Sequence, residues 1–250
     1  MNTTQAQAGE SAAESAVGMA AVGRANDSSD KYRRVASLWH LLLVLVVQSV
    51  LSYRGAVRYG MVHALGDGDR VALYERTMVF EWVMLGVVLA GVWWHGASVR
   101  TVLGERWRSV GRFLRDVGIA VLLLMGTIAI GAVFGHGAGK APAANAILPQ
   151  GRTEMWWWVA LSITAGICEE AIYRGYLQRQ FIAVTKNVTL GIVLSAAAFG
   201  AAHLYQGVPQ ALQIALLGLM GGIVAYWCKT VRPGMFAHAL QDILGGLARH

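Results

Sequence analysis

Residues 155–178 read MWWWVALSITAGICEEAIYRGYLQ. The first half of this stretch is apolar enough to lie in a lipid bilayer, whereas the second half holds Glu169, Glu170 and Arg174. Charged groups are costly inside hydrocarbon, so ionisable residues in a membrane segment are candidate functional residues. The stretch therefore bears on two questions, the class of fold and the location of the chemistry.

The chain around this stretch is strongly apolar. Of its 250 residues, 56% are hydrophobic and 14% are charged, whereas about 25% are charged in an average soluble domain. A helix of about 20 apolar residues crosses a bilayer core. The sequence predicts an all-α, polytopic transmembrane helix bundle of about seven spans, namely Ala36–Ser52, Met78–Trp94, Val117–Phe134, Met155–Gln178, Val188–Leu204, Gln210–Trp227 and Met235–Leu247.

The net charge of +7 does not indicate a nucleic-acid partner, because the basic residues form no stripe with interleaved aromatic residues. They cluster beside apolar runs, before the first predicted span (Lys31, Arg33 and Arg34) and between the second and third (Arg100 to Arg115). The positive-inside rule then predicts a multi-pass cell-membrane protein with a cytoplasmic N-terminus. The arginines between Arg54 and Arg76, in the loop after the first span, oppose this orientation.

The chain divides into three predicted parts. Residues 1–30 are rich in Ala, Gly, Ser, Asn and Asp and lack the apolar core of a signal peptide, so they are predicted to form a disordered cytoplasmic tail. Residues 31–152 form an anchoring part with three helices and few polar groups at depth; Glu81 is expected near a helix start, where it reaches the interface. Residues 153–250 hold the remaining intramembrane ionisable groups.

Glu170 and Arg174 are four residues apart, so on a helix they lie on one face and can neutralise each other. Glu169 is turned about 100° away and lacks that partner. Low dielectric disfavours the charged form of a carboxyl group, so an unpaired one is a stronger base. The alternative is that this segment is a helix end at the cytoplasmic interface, with its charges solvated.

Two further pairs with a spacing of four residues follow. Phe199 and His203 lie near the end of one predicted helix, and His238 and Asp242 lie on one face of another. The alternatives are an interfacial histidine for the first pair and, for the second, a polar pair that holds helices together.

Depth along the helices tests whether these groups can meet. Measured from a turn at Asn187, Glu169 and His203 lie about 27 and 24 Å away at 1.5 Å per residue, so they can meet. Measured from a turn near Arg232, His238 lies only about 9 Å away and Asp242 about 15 Å. For His238 and Asp242 to contact Glu169, the helices must tilt, the helix that carries Glu169 must kink, or residues 207–213 must run partly along the membrane plane.

In this order, Glu169-Glu170-Ala171-Ile172-Tyr173-Arg174, Phe199-Gly200-Ala201-Ala202-His203 and His238-Ala239-Leu240-Gln241-Asp242 resemble the motifs of the CAAX-type prenyl protease and bacteriocin-processing (CPBP) family of intramembrane glutamic endopeptidases. The resemblance covers about residues 155–247. It implies peptide-bond hydrolysis in the membrane of a peptide or membrane-protein substrate, with residues 153–250 as the catalytic core.

The resemblance also implies roles for the site residues. Glu169 would activate a water, His203 would help to bind it, and His238 and the residue at position 242 would stabilise the oxyanion. Eukaryotic prenyl-protein proteases have Asn where this chain has Asp242. An ionised Asp repels an oxyanion, so Asp242 is protonated, or paired with His238, or not the oxyanion donor.

This mechanism needs no cofactor. Zinc is the alternative, because two His and two Glu can form a site with an open position, but the chain has no His-Glu-x-x-His motif. Cys168 does not fit a nucleophile, because a thiol in apolar surroundings is usually inert. Two functions of other classes remain: a non-catalytic immunity or scaffold protein of the same family, and a transporter or proton relay.

Overall fold

The structure is a computed structural model that describes residues 32–61, 67–134 and 146–248. In these ranges the chain forms helices joined by short turns and contains no β-strand. The predicted all-α class is therefore confirmed. The predicted tail at residues 1–30 lies outside the described residues.

In the described residues of the anchoring part, the chain forms three long helices and one short one. Gly96, which follows the second long helix, and Gly104, which follows the short one, have φ angles of 77° and 85°, a region that favours glycine. The helices are α1 (Leu38–Met61), α2 (Asp67–Trp94), α3 (Arg100–Leu103) and α4 (Val110–Phe134).

The remaining part begins with one long helical rod, which is interrupted in its middle by a π-helical segment. Two further apolar helices and a final helix follow. In order they are α5 (Arg152–Glu169), the π segment (Glu170–Leu177), α6 (Gln178–Thr185), α7 (Val188–Ala202), a 3₁₀ turn (Leu204–Gln206), α8 (Val208–Cys228) and α9 (Arg232–Leu247).

A sharp turn joins α6 to α7 where the sequence suggested one. Lys186 adopts a left-handed conformation with φ of 55°. Asn187 then caps α7, because its side-chain oxygen accepts a hydrogen bond of 3.0 Å from the backbone N–H of Leu190. The residues of the suggested lateral segment instead start α8, whose first turn contains Pro209.

Within the described residues, three helical stretches are long and apolar enough to cross a membrane: Asp69–Trp94, Val110–Val133 and Val208–Cys228. The stretches Leu38–Arg54 and Val188–Ala202 are apolar but shorter. Large apolar side chains such as Trp82, Leu122 and Met125 are exposed, as expected of a protein that lies in a bilayer. Each of the seven predicted runs overlaps a helix, but the number of seven spans stays a prediction.

The packing centres on the π segment. Its residues Ile172, Tyr176 and Leu177 are buried against Val44 of α1 and Val88 of α2. Close to this core, α5 meets α9 at Gly166, where an added Cβ would lie 2.7 Å from the carbonyl oxygen of Met235. The absence of a side chain at Gly166 thus lets the two helices approach closely, which brings their polar groups together.

The anchoring part packs against the part formed by residues 153–250. At the start of α2, the Arg70 Nε lies 2.7 Å from the Glu154 Oε2 of α5, and both side chains are buried. The backbone N–H of Gln150 donates to the same oxygen at 2.6 Å. This buried ion pair joins the two helices at one end. The boundary predicted at residues 152 and 153 stays a prediction.

Candidate active site

The π segment carries the first polar motif, and all eight of its residues are buried. At its end the backbone N–H of Gln178 donates to the Tyr173 carbonyl, five residues earlier. The Ser195 hydroxyl of α7 donates to the same carbonyl at 2.7 Å, so α7 is tied to this segment. π-helical turns of this kind often occur at functional sites. The sequence predicted an ordinary helix here.

Glu170 and Arg174 contact each other within the π segment. The distance between Arg174 Nη1 and Glu170 Oε1 is 3.2 Å, and each side chain is 4% exposed. The guanidinium carbon of Arg174 also lies 4.1 Å from the centre of the Phe199 ring. The cation therefore interacts with both a carboxylate and an aromatic face, which offsets part of its burial cost.

His238 lies among three carboxyl groups. Its Nδ1 is 3.5 Å from Glu170 Oε1, and its Nε2 is 3.8 Å from Glu169 Oε2 and 3.5 Å from Asp242 Oδ2. From the sequence, this contact required tilt, a kink or a lateral segment. The π segment directly follows Glu169, so the helix that carries Glu169 departs from regular α-helical geometry at this point.

His203 lies at the C-terminal end of α7, and its tautomer follows from its hydrogen bond. Its Nδ1 is 2.8 Å from the Phe199 carbonyl oxygen, which only accepts, so Nδ1 carries the hydrogen. In the neutral ring Nε2 is then left as an acceptor. The Phe199 ring lies 4.9 Å from the His203 ring and 6.0 Å from the His238 ring. The Phe199 ring thus packs in an edge-on arrangement against both imidazoles.

These groups face one cavity of about 710 Å³. Helices α2, α5, α8 and α9 contribute most of its apolar wall, which includes Phe80, Met84 and Leu217. The side chain of Glu169 is 19% exposed in this structure and that of Asp242 is 31% exposed. The sequence-predicted site residues on the cavity wall are Glu169, Glu170, Arg174, His203, His238 and Asp242.

One protein family matches this part of the chain. Its description is "Type II CAAX prenyl endopeptidase Rce1-like", and its sequence model matches residues 151–244. These residues belong to the CAAX protease family. This CAAX protease segment, residues 151–244, begins just before α5 and ends within α9. It therefore contains all three polar motifs. Searches of curated proteins and of solved structures found no match to the chain.

A further carboxyl group reaches the cavity from outside the CAAX protease segment. Glu81 of α2 lines the cavity wall and is only 7% exposed. The expectation that it reaches the interface from a helix start was wrong, because α2 begins at Asp67 and places Glu81 in its middle. The sequence did contain a signal for the burial of Glu81, because Tyr74, Glu81 and Val88 are spaced by seven residues and form one buried stripe.

The structure also shows the surroundings of Cys168 and the arrangement of possible zinc ligands. The Cys168 side chain is buried and belongs to the apolar core. Among residues 32–61, 67–134 and 146–248, no group of three or more His, Cys, Asp or Glu side chains is arranged to hold a metal ion. A chelator experiment can test whether zinc takes part in the reaction.

Proposed function

We propose that this chain is an intramembrane endopeptidase in which Glu169 activates a water molecule. One observation carries the proposal: Glu169, His203 and His238 line a single cavity, while the neighbouring Glu170 is already paired with Arg174. Of the two adjacent glutamates, Glu169 is therefore the one available for proton transfer. Family membership of residues 151–244 supports the same reaction class.

Hydrolysis of an amide begins with the base. Glu169 Oε2 is buried and has no hydrogen-bond partner in the described part of the chain, so it can accept a proton from water. The water oxygen forms a bond to the substrate carbonyl carbon, and the carbonyl π electrons move to its oxygen. The proton taken by Glu169 then passes to the leaving nitrogen as the C–N bond breaks. This proton transfer yields a carboxylic acid and an amine and restores Glu169.

The two histidines take different parts. His203 Nε2, the free acceptor, orients the second hydrogen of the attacking water. His238 supplies an N–H to the oxygen that becomes negative, from a position between Glu169 and Asp242. Asp242 acts through His238, which it contacts at 3.5 Å, and so is a positioning residue.

The substrate is a peptide or a membrane-protein segment that enters from the bilayer. The cavity combines an apolar wall of residues such as Phe80 and Leu217 with amide side chains, including Gln213 and Gln241. Apolar walls accept apolar side chains, and amide groups can pair with an extended peptide backbone.

The test uses the full chain in lipid nanodiscs, a peptide library derived from membrane-protein segments, and mass spectrometry of the products. The wild type should cleave a defined subset, and Glu169→Gln should lower the rate by about 10²–10⁴-fold, the usual contribution of a general base. Equal cleavage by both proteins would contradict the role of Glu169 as the base. Binding without cleavage by both proteins would favour the immunity or scaffold alternative.

A chelator arm of the same assay tests the zinc alternative. The proposed mechanism uses only side chains and water, so 1,10-phenanthroline should leave the rate unchanged. Loss of cleavage with chelator, and recovery on addition of Zn²⁺, would replace the proposal with a metal-dependent mechanism.

A further inference from the structure

Glu81 is a buried acid that the proposed reaction does not use. It lies on the inward stripe of α2, where Met84, Leu85 and Val88 are also buried. Its Oε2 has no hydrogen-bond partner in the part of the chain that the structure describes. A buried polar group without a partner is destabilising, so its presence calls for an explanation, such as a catalytic role or a bound water, ion or ligand. The cavity that Glu81 lines offers room for such a group.

The charges around the cavity favour a cation as that group. Among the residues that the structure describes, its wall contains four carboxyl groups, two guanidinium groups and two histidines. Arg174 is engaged by Glu170, and Arg76 lies on an exposed position of α2. The carboxyl groups are Glu81, Glu169, Glu170 and Asp242, and the histidines are His203 and His238.

Two of these acids are left with buried oxygen atoms that lack hydrogen bonds and an arginine partner among the described residues. They are Glu169 and Glu81, which line the same cavity. Glu169 is assigned to the attacking water. Glu81, on the wall of the same cavity, is therefore the acid available to the substrate.

We propose that Glu81 binds a cationic side chain of the substrate, lysine or arginine, next to the scissile bond. The inference rests on the proposed function. The neighbouring wall fits such a side chain, because Phe80 and Met84 also line the cavity and can cover its apolar stem while the charged end meets the carboxylate. A free peptide amino group has the same chemistry, so the experiment must separate the two sources.

Binding is measured first, on protein that carries Glu169→Gln so that the peptides stay intact. The probes are short N-acetylated leucine–serine peptides with one central lysine, and the same peptides with uncharged norleucine at that position. Thermophoresis in nanodiscs should give about tenfold or tighter binding of the lysine peptides, as expected for a charge-assisted hydrogen bond. Adding Glu81→Gln should remove the preference for lysine.

The controls separate charge recognition from a general effect. Glu75→Gln, on an exposed position of the same helix, should keep the preference for lysine. Unacetylated norleucine peptides test the free amino group: tighter binding that depends on Glu81 would assign the site to a terminal amine. Equal binding of lysine and norleucine peptides, or a lysine preference that survives Glu81→Gln, would overturn the proposal.

A cleavage assay then distinguishes this inference from the proposed function. Peptides that the wild type cleaves are resynthesised with norleucine for lysine and citrulline for arginine, which keeps size and removes charge. The replacement should lower kcat/KM about tenfold for the wild type, mainly through KM, and much less for Glu81→Gln. Cleavage that depends on Glu169 but ignores the replacement refutes only the role of Glu81. Cleavage that survives Glu169→Gln refutes the proposed function alone.

Discussion

At the scale of single residues, Arg174 makes the buried acids tolerable. Its guanidinium contacts Glu170 on one side and the Phe199 ring on another. Without it, the Glu170 carboxylate would be left with the His238 Nδ1, which lies 3.5 Å from its Oε1. Removal of one partner from a buried ion pair leaves an uncompensated charge, which costs more than the pair itself contributes.

The first prediction concerns this pair. Arg174→Met should lower the free energy of unfolding by about 3–5 kcal/mol, because Glu170 is left buried and unpaired. The double variant Arg174→Met/Glu170→Gln should recover a large part of that loss. Unfolding in detergent micelles, followed by tryptophan fluorescence, measures both. A double variant as unstable as the single one would show that Arg174 acts mainly through Phe199.

The sequence could predict this pair but not the environment of Glu81. Glu170 and Arg174 are four residues apart on one helix, so local spacing alone brings them into reach. The surroundings of Glu81 depend on which face of α2 packs against α5, and that is a tertiary property. The spacing of Tyr74, Glu81 and Val88 indicates a buried stripe, but it does not say that the stripe borders a cavity with Glu169.

At the scale of elements, the close contact of α5 with α9 determines where His238 lies. Gly166 faces the backbone of α9 at Met235 and Ala239, the residues that flank His238 along the helix. A side chain at Gly166 must push α9 away from α5. Such a displacement would lengthen the distances from His238 to Glu169 and Glu170.

The second prediction follows from this contact. An added Cβ at position 166 would lie 2.7 Å from the Met235 carbonyl oxygen and 2.9 Å from the Ala239 Cβ. We therefore expect Gly166→Ala to destabilise the protein by about 1–3 kcal/mol, as overpacking does, and to reduce cleavage more than tenfold. The matched control is Gly86→Ala on α2, which meets no atom within 4 Å. If both variants behaved alike, the α5–α9 contact would not position the site.

The π segment marks the limit of prediction at this scale. Its residues Glu170–Leu177 read as a continuation of the preceding helix, and no proline or glycine pair marks a break. A π turn arises where tertiary contacts, such as the hydrogen bond from Ser195 to the Tyr173 carbonyl, compensate the altered backbone pattern. The depth estimates assumed α-helical rise throughout and so did not include this segment.

At the scale of the whole molecule, the arrangement of charge predicts orientation. The connection around α3 carries exposed Arg108, and the sequence assigns that loop to the cytoplasm. Arg152, exposed at the start of α5, is assigned to the opposite side. These two positions report on the two faces of the membrane.

The third prediction tests this orientation by cysteine labelling. In a background in which Cys168 and Cys228 are replaced by alanine, Arg152→Cys should react with a membrane-impermeant maleimide in intact cells. Arg108→Cys should react only after permeabilisation. The reverse pattern would invert the molecule, and reaction of both positions in intact cells would contradict the predicted number of spans between them.

The proposed hydrolysis depends most on Glu169. The most direct measurement therefore compares cells that carry the wild type, Glu169→Gln, or no copy of the protein. Membrane peptides are quantified by mass spectrometry, and membrane insertion of both proteins is checked in parallel. We predict that the same peptides accumulate uncleaved in the deletion strain and with Glu169→Gln, while the wild type processes them. If Glu169→Gln restores processing and every phenotype of the deletion, catalysis by Glu169 is contradicted.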